Sequence, residues 1–221
     1  MREHKNISIA DQIFEQLEHD ILCGRWPRGT VLSELGLSKE LGVSRTPVRE
    51  AIRRLEQENI LEESSHGLEV VGITREDMMD MYEIRLLIEG PSARRAAANI
   101  TDEQLHEMRE VLDLQRFYSE KGGEGGSDRI RNQDSRFHEL LYLASGSRPY
   151  IRTLLPLHKR LMKLRMTSVS KHDRAMRSLT EHEAIYDALA EHDADAAEQA
   201  VITHTRNARE RMLSKEVWAD E

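Results

Sequence analysis

Apolar residues recur at every fourth position from Ile9: Ile9, Ile13, Leu17 and Ile21, with Phe14 and Leu22 beside them. That spacing puts one apolar face on a helix from about Ser8 to Cys23. Gly24 is a natural stop, and Trp26-Pro27-Arg28-Gly29 cannot continue the helix. A short second helix follows, with Ser33 as its N-cap and Leu37 and Leu41 facing inward; Gly42 ends it. A third helix begins at Ser44 and ends near Glu58-Asn59. Two helices joined across a glycine turn predict a helix-turn-helix. The short apolar runs Ile60–Glu63 and Leu68–Val71 flank Ser64-Ser65-His66-Gly67, which predicts a hairpin with a four-residue polar tip. Three helices and a hairpin make a winged helix-turn-helix.

Gly72-Ile73-Thr74 is the expected joint. Beyond it only helical periodicity appears, in segments of roughly 75–99, 102–120, 128–145, 149–170, 174–191 and 194–214. Thr101 and Gln104 stand at capping-box spacing, and Thr180 is placed to cap or kink the fifth of these helices. Gly122-Gly123-Glu124-Gly125-Gly126 reads as a flexible connector. No strand precedes it and no Lys-Ser/Thr follows, so it is not a phosphate loop. The expected fold class is mostly α: a winged helix-turn-helix over residues 1–73 and an all-helical bundle over 74–221.

Composition supports this reading. Of 221 residues, 38% are hydrophobic and 33% charged, and five prolines with three phenylalanines are too few for a β-sandwich. No run of about 18 apolar residues exists, so no membrane span is expected. The N-terminal MREHKNISIADQIFEQ has no apolar stretch of a secretory leader. Cys23 is the lone cysteine, expected as a small buried hydrophobe near a helix end, and a reducing cytoplasm is the simplest setting. Net charge is −8, and residues 1–73 hold 9 basic against 13 acidic residues. Any binding to nucleic acid must therefore depend on where charges sit rather than on their sum.

The third helix concentrates them. At about 100° per residue, Arg45, Arg49 and Arg53 fall within about 80° of one another, with Thr46 close by. Val48, Ala51, Ile52 and Leu55 occupy the opposite side. Residues 43–54 carry four arginines and one glutamate inside an acidic unit. Pro47 sits in the first turn, where a missing N–H costs little. Arginine binds guanine O6/N7 or phosphate, threonine touches a base edge, and the helix N-terminus at Ser44 favours phosphate. A merely solvated charged face is the bland alternative; the tight turn before the helix and the hairpin after it argue against that.

The stretch Ile21-Leu22-x-Gly24-Arg25, Pro27-x-Gly29-Thr30-x-Leu32-Ser33-Glu34 and Leu41-Gly42-Val43-Ser44-Arg45-Thr46-Pro47-Val48-Arg49-Glu50-Ala51 resembles the N-terminal signature of the GntR family of bacterial regulators. The resemblance covers roughly residues 8–72 and implies DNA contacts from Ser44, Arg45, Thr46, Arg49 and Arg53, with His66 and Gly67 on the wing. Two departures matter: Leu35 and Ser65-His66 stand where many members carry basic residues. Fewer phosphate contacts should flatten the salt dependence of binding.

Ten histidines raise the question of a metal. His4, His19, His106 and His192 read as solvated helix-surface residues. Asp134 and His138 lie i, i+4 on one side of a helix, and His182 and His204 stand on later helices. From spacing alone each could equally be a core histidine with satisfied ring nitrogens. The C-terminal part also resembles the FCD ligand-binding domain of the FadR-type branch, through Tyr82-Glu83-x-Arg85 with Glu89, Asp134-x-x-x-His138, Ala144-Ser145-Gly146 and Glu181-His182, with Ser147 departing from the usual Asn. That resemblance implies a divalent metal on Asp134, His138, His182 and His204; such a donor set suits Zn²⁺, Ni²⁺ or Mn²⁺. Arg85 and Arg165 are candidate partners for a small-molecule carboxylate effector, although Arg85 has Glu89 as an alternative partner.

The leading expectation is a homodimeric, effector-responsive regulator that places two recognition helices on a pseudo-palindromic double-stranded operator. The rival is a metal-dependent enzyme using the Asp/His cluster, against which stand the lack of an HExxH pattern and of a motif-placed general base. A helical interaction protein with neither metal nor DNA is opposed by the Arg45/Arg49/Arg53 face.

Overall fold

A computed structural model describes residues 8–121, 126–164 and 172–213, with the side chains of 163–164 and 172–174 outside that description. The chain divides into two compact units after Thr74.

In the first unit, α1 (Ile9–Leu22) opens with a capping box between Ser8 and Asp11. After β1 (Val31–Leu32) come α2 (Glu34–Leu41), α3 (Arg45–Gln57), β2 (Leu61–Ser64) and β3 (Gly67–Val70). The strands form an antiparallel sheet in the order β1-β3-β2. Ile13, Phe14, Leu17 and Ile21 of α1 meet Val48, Ala51, Ile52 and Leu55 of α3, with Leu37, Leu32, Leu61 and Val70 closing the core. Arg54 ties α3 to α1: its Nη1 donates to Asp11 over 2.5 Å and its guanidinium lies 4.0 Å from the centre of the Phe14 ring. Gly42 turns the chain between α2 and α3 at φ 66°, a conformation glycine adopts without strain.

Several expectations are corrected. Ser64 and Gly67 pair with each other, so the wing tip is Ser65-His66 rather than four residues. The two-residue strand β1 had no periodic signal of its own; it exists through its pairing with β3. Gly67, at φ 130°, allows that approach, since a Cβ there would lie 3.1 Å from the Leu32 carbonyl oxygen. Cys23 is exposed, not buried. It is the C-cap of α1, about 200° around the helix from Ile21. Ile9, in the first turn, is exposed as well.

The second unit contains α4 (Arg75–Asn99), α5 (Asp102–Lys121), α6 (Gly126–Ala144), α7 (Arg148–Leu164), α8 (His172–Ala190) and α9 (Ala194–Leu213). Helix α4 packs on α9, α6, α7 and α8, while α5 packs on α6 and α8. The α4–α9 approach is close at Gly90, where a Cβ would come within 3.0 Å of Ile202 Cδ1. Ala93, Ala96 and Ala97 keep that contact thin, and Phe137, Leu140, Leu141, Leu154, Ile185 and Val201 fill the core. The predicted capping box opens α5: Thr101 N–H donates to Gln104 Oε1 and Gln104 N–H to Thr101 Oγ1. Gly126, expected in the connector, is the buried first residue of α6, and 122–125 lie outside the described residues. The fourth segment, expected to 170, is described as helix to Leu164. Thr180 neither caps nor ends α8; its hydroxyl donates back to the Met176 carbonyl. His192 is not a helix-surface residue: it is left-handed (φ 53°) in the α8–α9 turn, with Nδ1 2.8 Å from the Ala97 carbonyl oxygen.

Candidate nucleic-acid interface and metal centre

In α3 the apolar side is buried in the core and the opposite side is open. Arg45, Thr46, Arg49 and Arg53 are all exposed, and so is His66 on the wing tip. Ser44 occupies the N-cap position with extended backbone, yet its hydroxyl makes no cap hydrogen bond. The sequence removes one of its two possible donors: an N-cap side chain accepts from the N–H two or three residues on, and the third residue here is Pro47, which has none. Ser44 is exposed at the N-terminus of α3, the end of a helix that favours anions. Glu34, in the first turn of α2, accepts from Arg45 Nε at 3.2 Å and from Arg49 Nη2 at 2.9 Å. The two guanidinium groups hold the Glu34 carboxyl below the usual carboxylate range, with the Arg45 hydrogen bond the largest cause. Leu35, beside it, is exposed and brings no charge.

The buried site is assembled from five helices. Asp134 and His138 project from α6, His182 from the middle of α8 and His204 from α9; all are buried. Nitrogen atoms of His138, His182 and His204 lie within 4.8 Å of one another. Asp134 Oδ1 is 3.8 Å from His182 Nε2. Each imidazole has one nitrogen already engaged. His182 Nδ1 donates to Gln115 Oε1 of α5 over 3.1 Å. His204 Nδ1 donates to Glu181 Oε2 over 2.8 Å. His138 Nδ1 lies 3.4 Å from the Tyr142 hydroxyl, which itself donates to Glu89 on α4. The remaining nitrogen, Nε2 of all three rings, has no hydrogen-bond partner among the described residues, and neither has Asp134 Oδ2. Each such buried polar atom costs about 1–3 kcal/mol. Three histidines whose donor atoms lie this close together, with the Asp134 carboxylate against one of them, form a donor set that fits a cation.

Electrostatics agree. Burial, reinforced by the neighbouring imidazoles, pushes His138 well below its ordinary value and His182 down to about 3. Both rings are therefore neutral near pH 7, the form that binds metal. Glu181 is half-buried; burial works against its charge, but hydrogen bonds from Arg211 and His204 outweigh it and keep the carboxylate ionised. An ionised acceptor on Nδ1 makes His204 a stronger donor at Nε2.

Arg85 lies beside the cluster, buried in α4. Its Nε donates to Glu89 Oε1 over 2.8 Å and its Nη2 to Glu89 Oε2 over 3.2 Å, the alternative partner weighed from the sequence. Thr205 and Tyr142 also donate to Glu89. Among the described residues Arg85 Nη1 has no hydrogen-bond partner. Arg165 lies outside the described residues.

Sequence reasoning missed His158 and Gln115, and it noted Glu181 only as a family landmark without a role. His158 is buried on α7, with its ring centre 4.2 Å from that of His138 and Nε2 3.7 Å from Asp134 Oδ2. A signal was present: Ile151, Leu154, Leu155, His158, Leu161 and Met162 follow helical spacing, which makes His158 the one polar member of an apolar stripe.

A winged helix with an open basic face, followed by an all-helical unit with a buried cluster of histidines, is the make-up of a DNA-binding transcriptional regulator. Residues 9–67 match the model of bacterial regulatory proteins of the gntR family, and residues 80–207 match the FCD domain. The chain belongs to the GntR family and, carrying an FCD domain, to its DNA-binding transcriptional regulators. It is 30% identical over 203 residues to the HTH-type transcriptional repressor RspR of Escherichia coli K12, covering 91% of this chain and 88% of that protein. It is 29% identical over 196 residues to the HTH-type transcriptional regulator YdhC of Bacillus subtilis 168, covering 87% and 86%. Among solved structures, E. coli McbR/YncC superposes with a TM-score of 0.74 at 21% identity, over 95% of this chain and 99% of that one, a likeness of fold. These relatives are named as regulators rather than enzymes. No described helix is long and apolar enough to cross a membrane.

Proposed function

We propose that residues 1–73 bind a pseudo-palindromic operator and that residues 74–221 hold a divalent metal and a small carboxylate effector that controls this binding. In this reading Arg45, Thr46, Arg49 and Arg53 enter the major groove, Ser44 and the helix N-terminus take a phosphate, and His66 and Gly67 touch the backbone from the wing. Glu34 keeps Arg45 and Arg49 extended on one side of α3 until the phosphate or base replaces it. Two such helices require a homodimer, joined through the helical units, acting in the cytoplasm where its DNA is.

Asp134, His138, His182 and His204 would hold the metal; Zn²⁺, Ni²⁺ and Mn²⁺ suit that donor set. The observation that carries this is the close group of His138, His182 and His204, each buried with Nε2 lacking a hydrogen-bond partner among the described residues, with Asp134 Oδ1 3.8 Å from His182 Nε2. A bound divalent ion supplies a fixed positive charge against which an anion can bind. Arg85 offers Nη1 to the same anion, while Glu89 fixes the guanidinium plane. An effector changes DNA binding only by favouring one of two arrangements of the dimer.

The test combines metal analysis with an operator-binding assay on DNA from the protein's own upstream region. Purified protein should carry one divalent ion per chain, and His182→Ala with His204→Ala should lose it. Carboxylates added to the metal-loaded protein should shift operator affinity, and Arg85→Met should weaken that response. Unchanged metal content in the double variant would overturn the ligand assignment.

A further inference from the structure

We infer that His158 is a fifth protein donor to the metal held by Asp134, His138, His182 and His204, so that the chain's own imidazole fills a position that a small molecule would otherwise take. This rests on the metal reading above and goes beyond the four-residue set. His158 is 1% exposed, and its donor atoms lie within 4.8 Å of those of Asp134 and His138. The same limit joins His138 to His182 and His204, so His138 is common to two triplets of donors, and the inference is that both serve one ion. Two observations bear on the role of His158. It is the polar member of a buried and otherwise apolar stripe on α7, formed with Leu154, Leu161 and Met162. Its Nε2 lies 3.7 Å from Asp134 Oδ2, whereas the Nδ1 atoms of His182, His204 and His138 are engaged by Gln115, Glu181 and the Tyr142 hydroxyl.

The consequence concerns the effector. Four imidazoles and one carboxylate leave a six-coordinate ion one exchangeable position instead of two. An effector carboxylate then reaches the ion through one oxygen and Arg85 Nη1 through the other. A two-oxygen chelator binds only by displacing His158. Effector selection in this chain therefore falls to ligands with a single metal-binding oxygen.

The experiment uses the full chain, stripped by a chelator and reloaded with Ni²⁺ alone. X-ray absorption at the nickel edge counts imidazoles, and chelator competition measures affinity. Expected are one ion per chain, four imidazoles in the unmutated protein, and three in both His158→Ala and His158→Gln with affinity lower by about tenfold or more. Circular dichroism checks that the variants fold; the count in the unmutated protein decides the matter even if they do not. Three imidazoles there, or affinity unchanged in folded variants, overturns the inference and leaves the four-ligand centre standing. Two ions per chain also overturn it, because His158 and Asp134 would then serve a separate ion. An unmutated protein that takes up no nickel sinks this inference and the metal reading together.

Discussion

Each unit contains arginines held by one glutamate, and the two settings behave oppositely. On α2–α3, Glu34 holds Arg45 and Arg49 at the surface, with side chains 58% and 51% exposed. In α4, Glu89 holds Arg85 with both side chains 1% exposed. Water competes for the surface pairs and salt screens them, so a phosphate can replace Glu34 at little cost. The buried pair has no such competitor. Burial alone would discharge both groups, but each is the other's counter-charge, and together they stay ionised. An exchangeable pair suits a surface that must let go of its own acid to bind DNA; a permanent pair suits a wall beside a ligand site.

The sharpest way to break this comparison is Glu89→Gln. It strands the Arg85 charge in the core and should cost about 3–5 kcal/mol, lowering the melting temperature by about 6–20 °C for a chain of this size. A shift of a degree or two would mean that water reaches the pair. Metal removal comes next. At a free concentration one hundred times the dissociation constant, a bound ion stabilises by about 2.7 kcal/mol, so chelation should lower the melting temperature of the unmutated protein and leave that of the His182→Ala/His204→Ala variant unmoved. Arg49→Ala should weaken specific operator binding by about 1–3 kcal/mol, or roughly 5- to 150-fold, with its melting curve superposable on the unmutated one. Unaltered operator affinity would remove Arg49 from the interface. Smallest is Glu34→Gln: no measurable change in melting, and tighter non-specific DNA binding at low salt that disappears as salt is raised. If this variant melts markedly earlier, the two settings are more alike than their exposure suggests.

The two sites were not equally legible in the sequence. The proposed nucleic-acid face lies on one continuous helix, so its geometry follows from a period of 3.6 residues and could be read from Arg45, Arg49 and Arg53 directly. The proposed metal centre draws on α5, α6, α7, α8 and α9, and no local spacing connects residues so far apart. Only Asp134 and His138, four apart on α6, had a local signature; His182 and His204 came from family likeness. His158 was visible as an odd polar residue in an apolar stripe, but nothing in the chain says which neighbour that stripe faces.

What the sequence determined by itself is what short-range physics controls. Helix periods, the glycine turn at Gly42, the capping box at Thr101, the joint near Thr74 and the amphipathic division of α3 all depend on residues within a few positions of one another. Tertiary structure alone decided the strand at Val31–Leu32, the exposure of Cys23, the Glu34 clasp, the Gln115 and Glu181 acceptors that orient two histidines, and the arrival of His158. Each of these depends on a partner many residues away, and the identity of that partner is set by packing, because a buried polar atom takes whichever neighbour the folded core brings within reach.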